Sequence, residues 1–182
     1  MTEKRKKIFV LVLPCSGHIN PVVGIVNELV RKNVHVIMYS TDNYKSLIKK
    51  TGAEYRAYSS DIYFNHIYDF KLDEHEIKNS FTNLLIYLVR KTRYLLPNLI
   101  RDVEKDRPDL IIYDTCSIFC IYLMKMIIKR HEEKISDYAP PQCIKVFQSF
   151  VFGDKYFSEA IFEKFFDILN DELYLYYKFK II

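Results

Sequence analysis

Two side chains in this sequence stand where they could share acid–base chemistry. The stretch Pro14-Cys15-Ser16-Gly17-His18-Ile19 follows one apolar run and precedes a helical pattern. It presents a small residue, a flexible residue and then an imidazole. Far along the chain, the apolar run Leu110–Tyr113 leads straight into Asp114. A carboxylate hydrogen-bonded to one ring nitrogen of a histidine fixes the tautomer and stabilises the imidazolium, and the other nitrogen can then act as a general base. His18 and Asp114 are therefore the candidate catalytic pair. Two plainer readings stay open. A lone histidine is more often structural, and Asp114 could instead cap the segment after Thr115. Sequence alone does not bring the two side chains into contact.

The same loop argues against other chemistries. It has neither the Gly-x-Gly-x-x-Gly of a dinucleotide site nor the Gly-Lys-Ser/Thr of a P-loop. The four cysteines, Cys15, Cys116, Cys120 and Cys143, form no Cys-x-x-Cys pair and have no clustered histidines beside them. Free, mostly buried thiols are expected, with neither zinc nor a disulfide.

Short apolar runs alternate with amphipathic segments, as in a parallel sheet with helices on its faces. Ile8–Leu13 is β-branched and continuous, which suits a strand buried on both sides. Asn20-Pro21 reads as a helix cap followed by a first-turn proline. Val22, Ile25, Val26, Leu29 and Val30 then mark one helical face. Asn33 is a plausible left-handed stop before a strand at Val34–Tyr39. A short helix from Thr41 or Asp42 to Lys50 ends at Gly52, and Ala53–Tyr58 is a weaker strand. Residues 59–79 lack a period and read as irregular.

Phe81, Leu84, Leu85, Leu88 and Val89 begin another helical stripe, which Leu95, Leu96, Leu99, Ile100 and Val103 continue. Pro97 should kink it or start a second segment. Arg107-Pro108-Asp109 is a turn, Leu110–Tyr113 a strand and Ile118–Ile128 a helix. Residues 130–141 read as a surface loop, Cys143–Phe150 as a further strand, and Phe157, Ile161, Phe165 and Leu169 as a last helical stripe. In open α/β sheets ligands bind beyond the carboxyl ends of the strands. Both His18 and Asp114 are expected at that edge. The fold class is accordingly α/β, a Rossmann-like, mostly parallel sheet covered by helices on both faces.

A chain of 182 residues with 49% hydrophobic content suits one domain with a substantial core. The net charge of +4 is ordinary for solubility. Its one basic run, Lys4-Arg5-Lys6-Lys7, reads as a solvated lead into the first strand, so nucleic acid is not an expected partner. Ile8–Leu13 is too short for a secretion signal, and no stretch approaches the about 20 apolar residues of a membrane span. A cytoplasmic protein is expected. The aromatic end, Leu173–Ile182, would be a sticky patch if exposed, and could promote self-association through residues 173–182.

The segment from Pro14 to Tyr58 closely resembles the opening of macrolide-type glycosyltransferases in the UDP-glycosyltransferase superfamily. The family's Gly-His-x-Asn-Pro motif stands here as Gly17-His18-Ile19-Asn20-Pro21, its helix-ending Glu-Leu pair as Glu28-Leu29, and its Thr-Gly-Ala turn as Thr51-Gly52-Ala53. A second stretch, RPDLIIYDTCSIF, resembles the family's Pro-Asp-Leu-x-x-Tyr-Asp segment, and CIKVFQSFVF resembles the strand after it. The resemblance implies the N-terminal, acceptor-binding half of a GT-B fold. It implies that His18 deprotonates an acceptor hydroxyl, that Asp114 orients His18, and that the sugar of a UDP-sugar co-substrate is transferred with inversion. No metal or cofactor is implied. Ser16, Gly17 and Asn20 are the expected substrate-binding residues, and residues 59–100 should line a pocket for a bulky, partly apolar small-molecule acceptor.

The family's sugar-nucleotide-binding domain, with its Gly-rich loop and His/Glu/Asp/Gln-rich donor motif, has no counterpart in these residues. A single acceptor domain over 1–182 is expected, inactive alone, with the UDP-sugar held by a missing or separate C-terminal domain. The alternative is a non-catalytic fragment of the same lineage that binds an acceptor, lipid or protein. A flavodoxin-like phosphate binder using Ser16–His18 is a third reading.

Overall fold

A computed structural model describes residues 5–58 and 80–146 of the chain. These residues fall within one compact unit, Met1–Gln148, while Ser149–Ile182 lies outside them. So do the expected irregular region 59–79, the stripe from Phe157 to Leu169, and the aromatic end from Leu173.

Among the described residues five strands form one parallel sheet: β1 (Lys7–Leu11), β2 (His35–Ser40), β3 (Glu54–Ala57), β4 (Leu110–Asp114) and β5 (Gln142–Val146), in the order β3-β2-β1-β4-β5. The run expected to be buried on both sides becomes the central strand. Phe9 lies between Ile37 of β2 and Ile111 of β4. Phe9, Val10 and Leu11 are essentially inaccessible, because both sheet faces are covered. From β1 the chain first builds β2 and β3 on one side, then crosses to build β4 and β5 on the other. That reversal opens a crevice between the carboxyl ends of β1 and β4, the usual ligand position in such sheets.

Side chains alternate along a strand, so β1 serves two cores. Ile8 and Val10, with Val12 just beyond the strand, pack with Ile19, Val22 and Val26 of helix α1 (Ser16–Arg31) and Ile48 of α2 (Lys45–Lys50). Phe9 faces the opposite way and stacks on Tyr39, their rings 5.4 Å apart. On this second face lie α3 (Ser80–Asp106) and α4 (Phe119–Glu132), which pack on each other. The buried Tyr39 hydroxyl donates to Asp102 of α3 at 3.0 Å. Arg56 on the edge strand β3 bonds Tyr39, Glu54 and Asp106 and lies over the Phe9 and Tyr39 rings. Burial pushes the Tyr39 phenol up, and the half-buried Arg56 is held charged by the bonds to Asp106 and Glu54, which outweigh its partial burial.

Several local expectations change. Asn20 does not cap α1. Cys15, extended at φ −138°, is the residue before the first turn, so the helix starts five residues earlier than Asn20-Pro21 indicates. Pro21 sits inside the helix. It removes only the bond that would reach back to the carbonyl of Gly17, at an exposed position near the helix start. Ile25 is 41% exposed, so the buried stripe of α1 is narrower than its apolar sequence. Pro97 does not divide α3, which runs unbroken past it, with Leu95, Leu96, Leu99 and Val103 buried. α4 extends to Glu132, and Lys129, Arg130 and His131 in its last turn suit the negative end of the helix dipole. The strand expected over Cys143–Phe150 is β5, Gln142–Val146, with 147–150 outside the described residues.

The left-handed stops are where the sequence put them. Asn33 has φ 61° and Gly52 φ 82°. A Cβ on Gly52 would also meet the Val30 side chain at 2.9 Å, so this turn needs glycine twice over.

Candidate active site

The site is assembled where β1 and β4 end. After Leu11 the chain continues through the buried Val12, Leu13 and Pro14, and Cys15 turns it into α1. The Cys15 carbonyl accepts from the amides of both His18 and Ile19, at 3.0 and 2.9 Å. This tight first turn carries His18 over the end of the neighbouring strand. There its Nδ1 lies 2.9 Å from Oδ2 of Asp114, the last residue of β4.

Asp114 is completely buried. A buried carboxylate is costly unless donors surround it, and here three do. The Leu13 amide donates to Oδ2 at 2.8 Å, beside His18. The Ser117 amide donates to Oδ1 at 2.6 Å. Asp114 does not cap α4, whose cap residue is Ile118; one of its oxygens pins the turn ahead of that helix, and the other holds the imidazole. A carboxylate only accepts, so Nδ1 of His18 must carry the proton, and Nε2 is the nitrogen that can take up another.

His18 is partly sheltered, its side chain 20% exposed. Burial is the strongest influence on its pKa and pulls it down. The hydrogen bond to Asp114, with those to Cys116 and Cys15, outweighs burial and holds the imidazole above its ordinary value. The two thiols at the ring were not foreseen from sequence. Their neighbourhood was legible all the same, since Cys15 lies in the His18 loop and Cys116 two residues after Asp114. Both are half-buried, whereas Cys120 is buried and Cys143 is exposed on β5, so the expectation of mostly buried thiols holds for Cys120 only.

Ser16, Gly17 and Asn20 are all exposed around His18. The Ser16 hydroxyl meets the Tyr44 hydroxyl at 3.1 Å, tying α1 to the turn after β2. The amides of Ser16 and Gly17 head the helix and have no partner within it. Among the described residues no group of His, Cys, Asp and Glu is arranged to hold a metal, and no helix is long and apolar enough to cross a membrane. A surface groove of about 570 Å³ beside α2 is lined by Asp42, Lys45, Ser46, Lys49 and Lys50 and includes neither His18 nor Asp114. The His18–Asp114 pair stands at the strand ends and does not line that groove.

No protein-family profile matches the chain. Individual proteins do. The NDP-glycosyltransferase YjiC of Bacillus licheniformis is 28% identical over 115 residues, which are 60% of this chain and 27% of that protein. YjiC of Bacillus subtilis is 26% identical over 113 residues, 61% of this chain and 27% of its own. Demethyllactenocin mycarosyltransferase of Streptomyces fradiae is 26% identical over 106 residues, 57% and 23% of the two chains. The matched stretch thus spans about a quarter of these relatives.

Among solved structures, a calicheamicin glycosyltransferase aligns with a TM-score of 0.61 at 19% identity, covering 96% of this chain and 43% of its own. The spinosyn rhamnosyltransferase SpnG, solved with its spinosyn aglycone, aligns with a TM-score of 0.52 at 13% identity, covering 80% and 36%. At these identities the structural likeness speaks for the fold, which is the Rossmann-like α/β fold of GT-B glycosyltransferases. The structural neighbours share this fold, the sequence relatives are glycosyltransferases, and it is the macrolide-type glycosyltransferases of the UDP-glycosyltransferase superfamily that this chain resembles.

Proposed function

We propose that the chain is the acceptor-binding part of an inverting glycosyltransferase, with His18 as its base. The observation that carries this reading is the 2.9 Å bond between His18 Nδ1 and a buried, fully donated Asp114. That pair leaves Nε2 to remove the proton of an acceptor hydroxyl. The oxygen attacks the anomeric carbon of a UDP-sugar as the bond to the diphosphate breaks on the opposite face. The proton rests on His18, which Asp114 stabilises as the imidazolium. Ser16, Gly17 and Asn20 line the substrate side, and no metal takes part. The acceptor is a bulky, partly apolar alcohol, in keeping with the aglycone bound by SpnG. The sugar nucleotide is held by a donor-binding domain outside these 182 residues.

The test is glycosyl transfer to a panel of apolar alcohols, measured for the chain alone and with a donor-binding domain supplied in trans or by fusion. Transfer that depends on both the added domain and His18 supports the reading. Acceptor binding without any transfer in the completed protein would instead favour a non-catalytic binding fragment.

A further inference from the structure

Tyr58 reaches the candidate site from the edge strand of the sheet. Its amide donates to the Ser40 carbonyl at 3.1 Å, which carries the β2–β3 pairing one residue past Ala57. Its ring lies 5.6 Å from the Tyr39 ring of β2 and 5.6 Å, edge-on, from Phe119 of α4. The buried hydroxyl donates to the Val12 carbonyl at 3.0 Å. That carbonyl belongs to the same peptide group as the Leu13 amide, which donates to Asp114 Oδ2 at 2.8 Å. The same oxygen accepts from His18 Nδ1 at 2.9 Å. Hydrogen bonds thus run in series from the end of β3 to the imidazole, through residues that are all buried up to the ring itself.

A donor on a peptide carbonyl polarises the whole peptide group and makes its N–H a stronger donor, by about 10–30% per bond in a buried chain. Leu13 and His18 share one carboxylate oxygen. The firmer the amide's claim on it, the less negative charge is left to hold the imidazolium. We propose that Tyr58 is a positioning residue for the base: through the Val12–Leu13 peptide its hydroxyl aims and strengthens the amide that shares Asp114 Oδ2 with His18, and so tempers the carboxylate's grip on the imidazolium. The inference rests on His18 being the base of the proposed transferase. A base has to release its proton before the next acceptor, and an untempered carboxylate would keep it occupied. Tyr58 therefore helps to set the pH at which Nε2 is free.

The experiment is NMR titration of the His18 ring in the 182-residue chain, its signal assigned with His18→Gln. Tyr58→Phe keeps the ring that packs on Tyr39 and Phe119 and removes the hydroxyl alone. The expected result is a His18 midpoint higher by roughly 0.3–0.5 pH unit. Tyr39→Phe is the control, since it also deletes a buried hydroxyl, but one that bonds Asp102 and not the Val12–Leu13 peptide. It should cost stability and leave the midpoint where it was. Asp114, Cys116 and Cys15, the titratable groups at the ring, are the same in all these chains. An unchanged or lower midpoint in Tyr58→Phe, or an equal rise in Tyr39→Phe, overturns the proposal. If Tyr58→Phe does not fold, the wild type decides: the Tyr58 Cζ shift should follow the His18 titration, and a flat response overturns the proposal. The readout is ring protonation, so absence of sugar transfer in the completed protein would sink the transferase reading without touching this link.

Discussion

His18 and Asp114 are 96 residues apart in sequence and 2.9 Å apart in space, and the same carboxylate oxygen also receives the Leu13 amide. Asp114 therefore ties the β1–α1 connection to the end of β4 and orients the ring in doing so. Substitutions at either position should affect both activity and stability.

His18→Ala, measured with the donor-binding domain supplied, is expected to lower the transfer rate by about 10²–10⁴-fold, the usual worth of a positioned base. The thermal midpoint should fall as well near neutral pH, because the pair's contribution to stability is lost and the buried Asp114 keeps only its two amide donors. Asp114→Asn should lose activity and also stability. A neutral amide has one acceptor oxygen for three donors and turns its NH₂ toward at least one of them. The unfolding free energy should fall by about 1–3 kcal/mol. Kinetics and chemical denaturation of the two variants, side by side, check this.

The pH dependence follows from the raised pKa of His18. Its folded value lies above the ordinary 6.5, so the pair's contribution to stability is complete below that pH and is lost as pH rises through the folded value. Urea unfolding of wild type and His18→Gln across neutral and alkaline pH should show the gap narrowing as pH rises. Transfer should increase over the same alkaline titration, since a base must first shed its proton. NMR titration of the ring gives the pKa directly, and a value at or below 6.5 contradicts the prediction.

The 182-residue chain by itself is expected to transfer little or no sugar. Holding donor and acceptor in line is worth about 7–11 kcal/mol of the barrier, and a base without a bound donor forgoes it. Stabilising the departing diphosphate requires further donors. Robust turnover by the isolated chain, abolished by His18→Ala, would refute this.

Gly52→Ala should destabilise the fold by more than about 1 kcal/mol, since alanine is strained at φ 82° and its methyl group would meet the Val30 side chain at 2.9 Å. Denaturant titration checks this. An unchanged midpoint would mean that the α2–β3 turn adjusts freely.

The sequence by itself determined the order of elements, the class of sheet and the two residues of the candidate pair. Periodicity carries that information locally: a continuous β-branched run has to be buried on both faces, and Ile8–Leu13 became the central strand. Asn33 and Gly52 were equally legible, because a left-handed φ is a demand on single residues. Local pattern failed where neighbours along the helix, or distant groups, decide. Asn20-Pro21 has the composition of a helix start, yet Cys15 enters α1 first and the helix carries the proline. Pro97 likewise has the composition of a break, yet α3 runs through it, its buried stripe held against the sheet. Only the tertiary structure decided that His18 meets Asp114, that Asp114 both pins a turn and orients the ring, and that two thiols lie at the same imidazole. These contacts depend on β4 pairing beside β1 after the chain reverses direction, a choice made by the packing of the whole sheet and written in no short stretch of residues.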